Sequence, residues 1–110
     1  MAENIGRFLE GIAESMVRTE IILFFHRNQF AMDVARNIAR WIGRDVAVVE
    51  KELVGLVEQK ILDRMGTGPS AIYSYTQDVE TIETIDKFVT ELTLGREKVR
   101  RAMEGLKPSL

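Results

Sequence analysis

The sequence predicts a mainly α fold that carries one small β-hairpin and ends in a long helix. Three observations predict it. Apolar residues recur at helical spacing from Ile5 to about Lys60 and again from Ile82 to Leu106. Between those stretches the period breaks around Gly66-Thr67-Gly68-Pro69, with a short strand-like run on each side. Both prolines, Pro69 and Pro108, fall outside the helical stretches, where a missing N–H and a fixed φ do no harm.

The elements follow in order. Residues 3–14 place Ile5, Phe8, Leu9 and Ile12 three and four apart, which predicts a short amphipathic helix. Met16 to His26 is apolar on most sides, so this helix, the first of the head, is expected to be buried. A polar break, Arg27-Asn28-Gln29, follows it. Asp33 is then expected to cap helix two, whose stripe is Val34, Ala35, Ile38, Ala39 and Ile42. Gly43 fits a left-handed helix end, and Asp45 caps helix three, which runs to about Lys60 on Val46, Val49, Leu53, Leu56 and Ile61. Two helices joined this tightly form a helix-turn-helix. Ile61–Met65 and Ala71–Thr76 are the hairpin strands. From Asp78 to Leu106 the helical period returns, with Gly95 its one weak point.

Composition sets the bounds. The chain has 110 residues, 45% of them hydrophobic, which suits one domain over 1–110 with a single core. It has no cysteine, so disulfides and thiolate chemistry are excluded and a reducing, cytoplasmic setting is expected. Glu3 and Glu10 interrupt the amino-terminal apolar residues, unlike a signal peptide. The longest apolar run, Ile21 to Phe25, is far short of the roughly 20 residues of a membrane span. One histidine, His26, argues against a histidine triad or a His-rich zinc site and is expected at the frayed end of its helix. No phosphate-cradling glycine loop is present. Enzymatic function and a cofactor are therefore not expected. Trp41, Tyr73 and Tyr75 are the aromatic residues able to line a pocket, although such positions are more often core.

The stretch from Val17 to Thr76 resembles the winged helix-turn-helix regulators of the ArsR and MarR type. The residues that carry the likeness are Val49, Glu50, Leu53, Leu56, Lys60-Ile61-Leu62, Gly66-Thr67-Gly68 and Tyr73-Ser74-Tyr75-Thr76. They cover a little over half the chain and are mostly packing positions. Two depart from the pattern: Glu50 replaces a small polar residue, and Lys60 replaces a glycine.

The resemblance implies a transcriptional regulator, a repressor, that turns the start of helix three toward the major groove of duplex DNA. The net charge is −2, so a DNA role must rest on a local patch. Residues 44–64 carry four basic and five acidic side chains, Glu50 and Glu52 among them, a poor match to a polyanion. Helix two fits better, because Arg36, Arg40 and Arg44 step by four and form one stripe able to grip phosphates. The DNA-facing set is thus Arg36, Arg40, Arg44, Ala47, Glu50, Lys51 and, at the base of the wing, Arg64. The alternative is a winged-helix module that contacts proteins and reads no DNA sequence.

The last helix predicts a homodimer. Ile82, Ile85, Val89, Leu92, Val99, Met103 and Leu106 make an a/d seam broken only by Arg96, too long for a small head to cover. Residues 78–91 hold five acidic side chains against Lys87, and residues 96–107 hold five basic against two acidic. An antiparallel pair sets unlike halves together, assisted by the helix at residues 3–14. No membrane partner is expected, and the sequence specifies no effector.

Overall fold

The computed structural model describes residues 16–105, with side chains through Gly95. The helix expected at residues 3–14 and the seam side chains of Val99, Met103 and Leu106 lie outside these descriptions. Four helices and three strands follow in order: α1 (Met16–Arg27), β1 (Met32–Val34), α2 (Ala35–Ile42), α3 (Val46–Glu58), β2 (Leu62–Met65), β3 (Ile72–Tyr75) and α4 (Val79–Gly105).

α1 is the centre of the head. Ile21, Ile22 and Phe25 are sealed from water and meet Ile38 of α2, Val49, Leu53 and Leu56 of α3, and Leu62 and Tyr75 of the sheet. Phe24 adds a T-shaped ring contact to Phe25 at 5.1 Å between centroids. The expected helix-turn-helix is present. Gly43 ends α2 at φ 69°, and the Arg44 N–H reaches back to the Ala39 carbonyl at 3.0 Å. Asp45 then caps α3 by accepting from the Val48 N–H.

The exit from α3 is a six-to-one helix closure. The Ile61 N–H bonds the Leu56 carbonyl and the Lys60 N–H the Val57 carbonyl, both at 3.0 Å. That closure requires a left-handed residue at position 60. Lys60 adopts it at φ 63°, the only non-glycine among the described residues with positive φ.

The hairpin forms as expected, with β2 and β3 antiparallel in the register Leu62 to Tyr75 and Met65 to Ile72. Its tip contains a short 3-10 turn, Gly68–Ser70. The sheet has a third strand that the sequence does not suggest. β1 pairs antiparallel with β3, giving the order β1-β3-β2. Val34, expected in the stripe of helix two, is therefore the end of a strand. Asp33, expected as the cap of that helix, sits inside the strand, and its Oδ1 accepts from the Val34 N–H at 2.9 Å and Asn37 Nδ2 at 2.8 Å.

α4 starts at a firm cap. Asp78 accepts from the Thr81 N–H at 3.0 Å and the Thr81 hydroxyl at 2.7 Å, and these bonds, the hydroxyl's first, hold its carboxyl below the ordinary aspartate range. Ile85 of α4 is buried in the head, and Ile82, Phe88 and Val89 pack on the same core. His26 is a fastening rather than a frayed end, because its Nε2 lies 2.9 Å from Asp86 Oδ1 and ties α1 to α4.

Replacing Lys60 by glycine should raise stability by about 1 kcal/mol, since the left-handed conformation costs an ordinary residue about that much. Thermal unfolding followed by circular dichroism should show a Tm several degrees higher; a lower Tm would contradict the strain.

Candidate nucleic-acid interface

α2 and α3 pack against each other and present adjoining surfaces. On α2, Arg36 and Arg40 are exposed four residues apart, one turn above the other. Neither pairs with a carboxylate among the described residues. Arg44, expected as the third step of that stripe, lies beyond the Gly43 cap and is engaged elsewhere. Its Nε and Nη2 donate to the two carboxylate oxygens of Glu20 on α1 at 2.8 and 2.7 Å. This two-pronged bond holds the Glu20 carboxyl below its ordinary range, burial opposing it, and raises the Arg44 guanidinium.

The outward side of α3 carries Ala47, Glu50 and Lys51, all exposed. Glu52 is not part of it. Its carboxylate meets the Arg18 guanidinium of α1 in a half-buried ion pair. The acidic charge counted along this helix in the sequence is thus partly matched from behind by α1, which a sum along the chain cannot show. Val46, Val48 and Val54 are also exposed here, at 37%, 44% and 40%. Helical spacing marks Val46 for the core and gives Val48 and Val54 no role.

Arg64 is exposed on β2, in register with Tyr73 and Asp33, and so lies on the sheet face that meets the helices. The wing tip from Gly66 to Ala71 holds no charge. Gly66 at φ 88° and Gly68 at φ 68° supply the left-handed turns that let the chain reverse.

Of the three aromatic residues considered for a pocket, Tyr73 and Tyr75 are core, whereas Trp41 is 73% exposed on α2. The Tyr75 hydroxyl is buried without a hydrogen-bond partner. Burial first, then the charge of Asp86, pushes its pKa up to about 12. Among the described residues no three or more His, Asp or Glu side chains cluster to hold a metal. No described helix is long and apolar enough to cross a membrane. Along the α4 seam, Ile85 is already sealed inside its own head, Ile82, Val89 and Leu92 are half-buried, and Leu94 beside it is 50% exposed.

The clamp between Glu20 and Arg44 has a pH signature. A depressed carboxyl pKa gives stability that is present above the ordinary glutamate range and lost as pH falls through the lowered folded value. Glu20→Gln should therefore melt below the wild type at neutral pH, and the difference should close on acidification. A difference that persists in acid would contradict the clamp.

No protein-family model matches the chain. No curated protein matches it either. Solved structures do match it. A doubly substituted ZitR from Lactococcus lactis superposes with a TM-score of 0.66 at 14% identity, covering 96% of this chain and 84% of that one. MepR, a transcription regulator of a Staphylococcus aureus multidrug efflux pump, gives 0.60 at 17% identity, covering 96% and 83%. A possible transcriptional regulator from Methanosarcina mazei gives 0.55 at 14%, covering 86% and 80%. At these identities the likeness is one of fold, and the fold of this chain is the winged helix-turn-helix.

Proposed function

We propose that the protein is a dimeric DNA-binding transcriptional regulator, a repressor, whose α2 and α3 contact duplex DNA and which works by binding rather than by catalysis. One observation carries the reading. Among the described residues Arg36 and Arg40 stand exposed on α2 without a carboxylate partner and Lys51 stands exposed on α3, while Glu20 and Glu52 are occupied by arginines. Cations held free of local carboxylates are what phosphate oxygens require. The fold supports the reading, since its solved likenesses include transcription regulators. In it Arg36 and Arg40 grip phosphates, Ala47, Glu50 and Lys51 face the bases, and Arg64 approaches the neighbouring minor groove. Arg44 joins them only by exchanging Glu20 for a phosphate.

The dimer rests on α4. Its 27 residues span about 40 Å at 1.5 Å per residue. Among the described residues Ile82, Ile85, Phe88 and Val89 of its first half pack on the head, and the sequence carries the seam on through Leu92, Val99, Met103 and Leu106. The acidic first half and basic second half favour an antiparallel partner of the same sequence. A contact module for proteins is the second reading, favoured by the exposure of Trp41 and the α3 valines.

The protein should retard duplex DNA at low salt, with affinity falling steeply as salt rises. Arg36→Ala with Arg40→Ala should abolish retardation under conditions where the wild type binds, and leave Tm unchanged. Where residual binding can be measured, the log–log salt slope should fall by about 0.9 for each phosphate that is no longer neutralised. Absence of retardation by the wild type with any genomic fragment at low salt would select the protein-contact reading. Sedimentation equilibrium should report a dimer at micromolar concentration; a monomer there would refute the α4 pairing.

A further inference from the structure

The outward side of α3 has a chemistry of its own. A surface helix ordinarily turns charged and polar residues to solvent. Here Val46, Val48 and Val54 stand exposed, with exposed Ala47 among them. Successive residues turn by about 100°, so Ala47, Glu50, Lys51 and Val54 occupy the middle of that face and Val46 and Val48 its two flanks. The opposite side, Val49, Leu53 and Leu56, is fully buried in the head. Glu50 and Lys51 are the only charged side chains at the centre of the first two turns, because Glu52 is turned to Arg18.

Aliphatic side chains can neither give nor accept a hydrogen bond. In the major groove the one apolar group on any base pair is the thymine C5 methyl. Valine against that methyl shelters carbon from water on both partners, which is favourable. Valine against a G·C pair strips water from the cytosine amino group and the guanine oxygen and returns no bond, which is unfavourable. Arg36 and Arg40, exposed on the helix packed against α3 and without a carboxylate partner among the described residues, favour a polyanion over an apolar protein surface as the occupant of this face.

We infer that α3 selects A·T-rich duplex by sheltering thymine methyl groups, with Ala47, Val48 and Val54 as the specificity-determining residues and Val46 at their edge. The inference rests on the DNA-binding reading and names the sequence class that reading leaves open.

The test uses two alternating A·T duplexes of equal length, one of them with deoxyuridine at every thymidine position. The two differ only in the C5 methyl and carry the same phosphates. The wild-type protein should prefer the thymidine duplex by about fourfold for each methyl fully sheltered, the equivalent of one buried methylene. Val48→Ser with Val54→Ser replaces exposed residues, so the fold should persist, checked by circular dichroism. This variant should bring the ratio toward one while keeping the salt dependence. Should it fail to fold, the wild-type ratio alone decides. Equal binding of both duplexes by the wild type overturns the inference and leaves the DNA reading standing. Failure to retard either duplex overturns the inference alone where genomic fragments are retarded at low salt, and overturns the DNA reading as well where they are not, assigning the valines to a protein partner.

Discussion

Ile21, Ile22 and Phe25 of α1 are sealed between α2, α3, the sheet and Ile85 of α4, and the surface the molecule presents is positioned from that contact. Truncating one such side chain typically costs about 2 to 5 kcal/mol, a large part of the roughly 5 to 15 that holds a domain together. α1 takes no part in the outward face of α3, but it decides which way that face points. It does so twice over. Its apolar side fixes the depth of α3 through Val49, Leu53 and Leu56, and its polar side fixes the rotation through Arg18 on Glu52 and Glu20 on Arg44.

Those two ion pairs also set the electrostatics. Each joins a charge near the outward face of α2 and α3 to one on α1 behind it, so neither pair leaves a free ion there. Among the described residues, what remains without an ion-pair partner in front is cationic on α2 and largely aliphatic on α3. On the proposed reading, a protein of net charge −2 carries a local surface for a polyanion, with phosphate grip and base contact divided between two helices. The Glu20–Arg44 pair, partly screened by solvent, adds only a small increment to stability. Their effect lies in which side chains they withhold.

Much of the fold is legible because it is encoded locally. Gly43, Asp45, the hairpin around Gly66 and Gly68, and the buried stripe of α3 each appear where spacing and backbone chemistry require them. What escapes is non-local. β1 is three residues long and is a strand only because β3 lies beside it, so no periodicity announces it. Asp33 reads as a cap because its chemistry suits one, whereas pairing with Tyr73 places it in the sheet. His26 finds Asp86 sixty residues away, a separation that a spacing rule cannot reach. The site is legible in the same proportion. The exposed arginines of α2 follow from their step of four, but the capture of Arg44 by Glu20 and of Glu52 by Arg18 needs α1 in place. The general rule that apolar residues face inward misleads for the valines of α3, three of which do not.

On the proposed reading, the face made by α2 and the start of α3 is where the molecule meets its partner, and that partner is duplex DNA. Amide chemical shifts of the isotopically labelled protein, recorded while duplex is added at low salt, test that claim most directly. The largest shifts should fall on residues 36–40 and 46–54, with smaller ones near Arg64, and residues 79–95 of α4 should move little. Shifts confined to the outer face of the sheet around Met32 and Ile72, or no shifts at all, would contradict it.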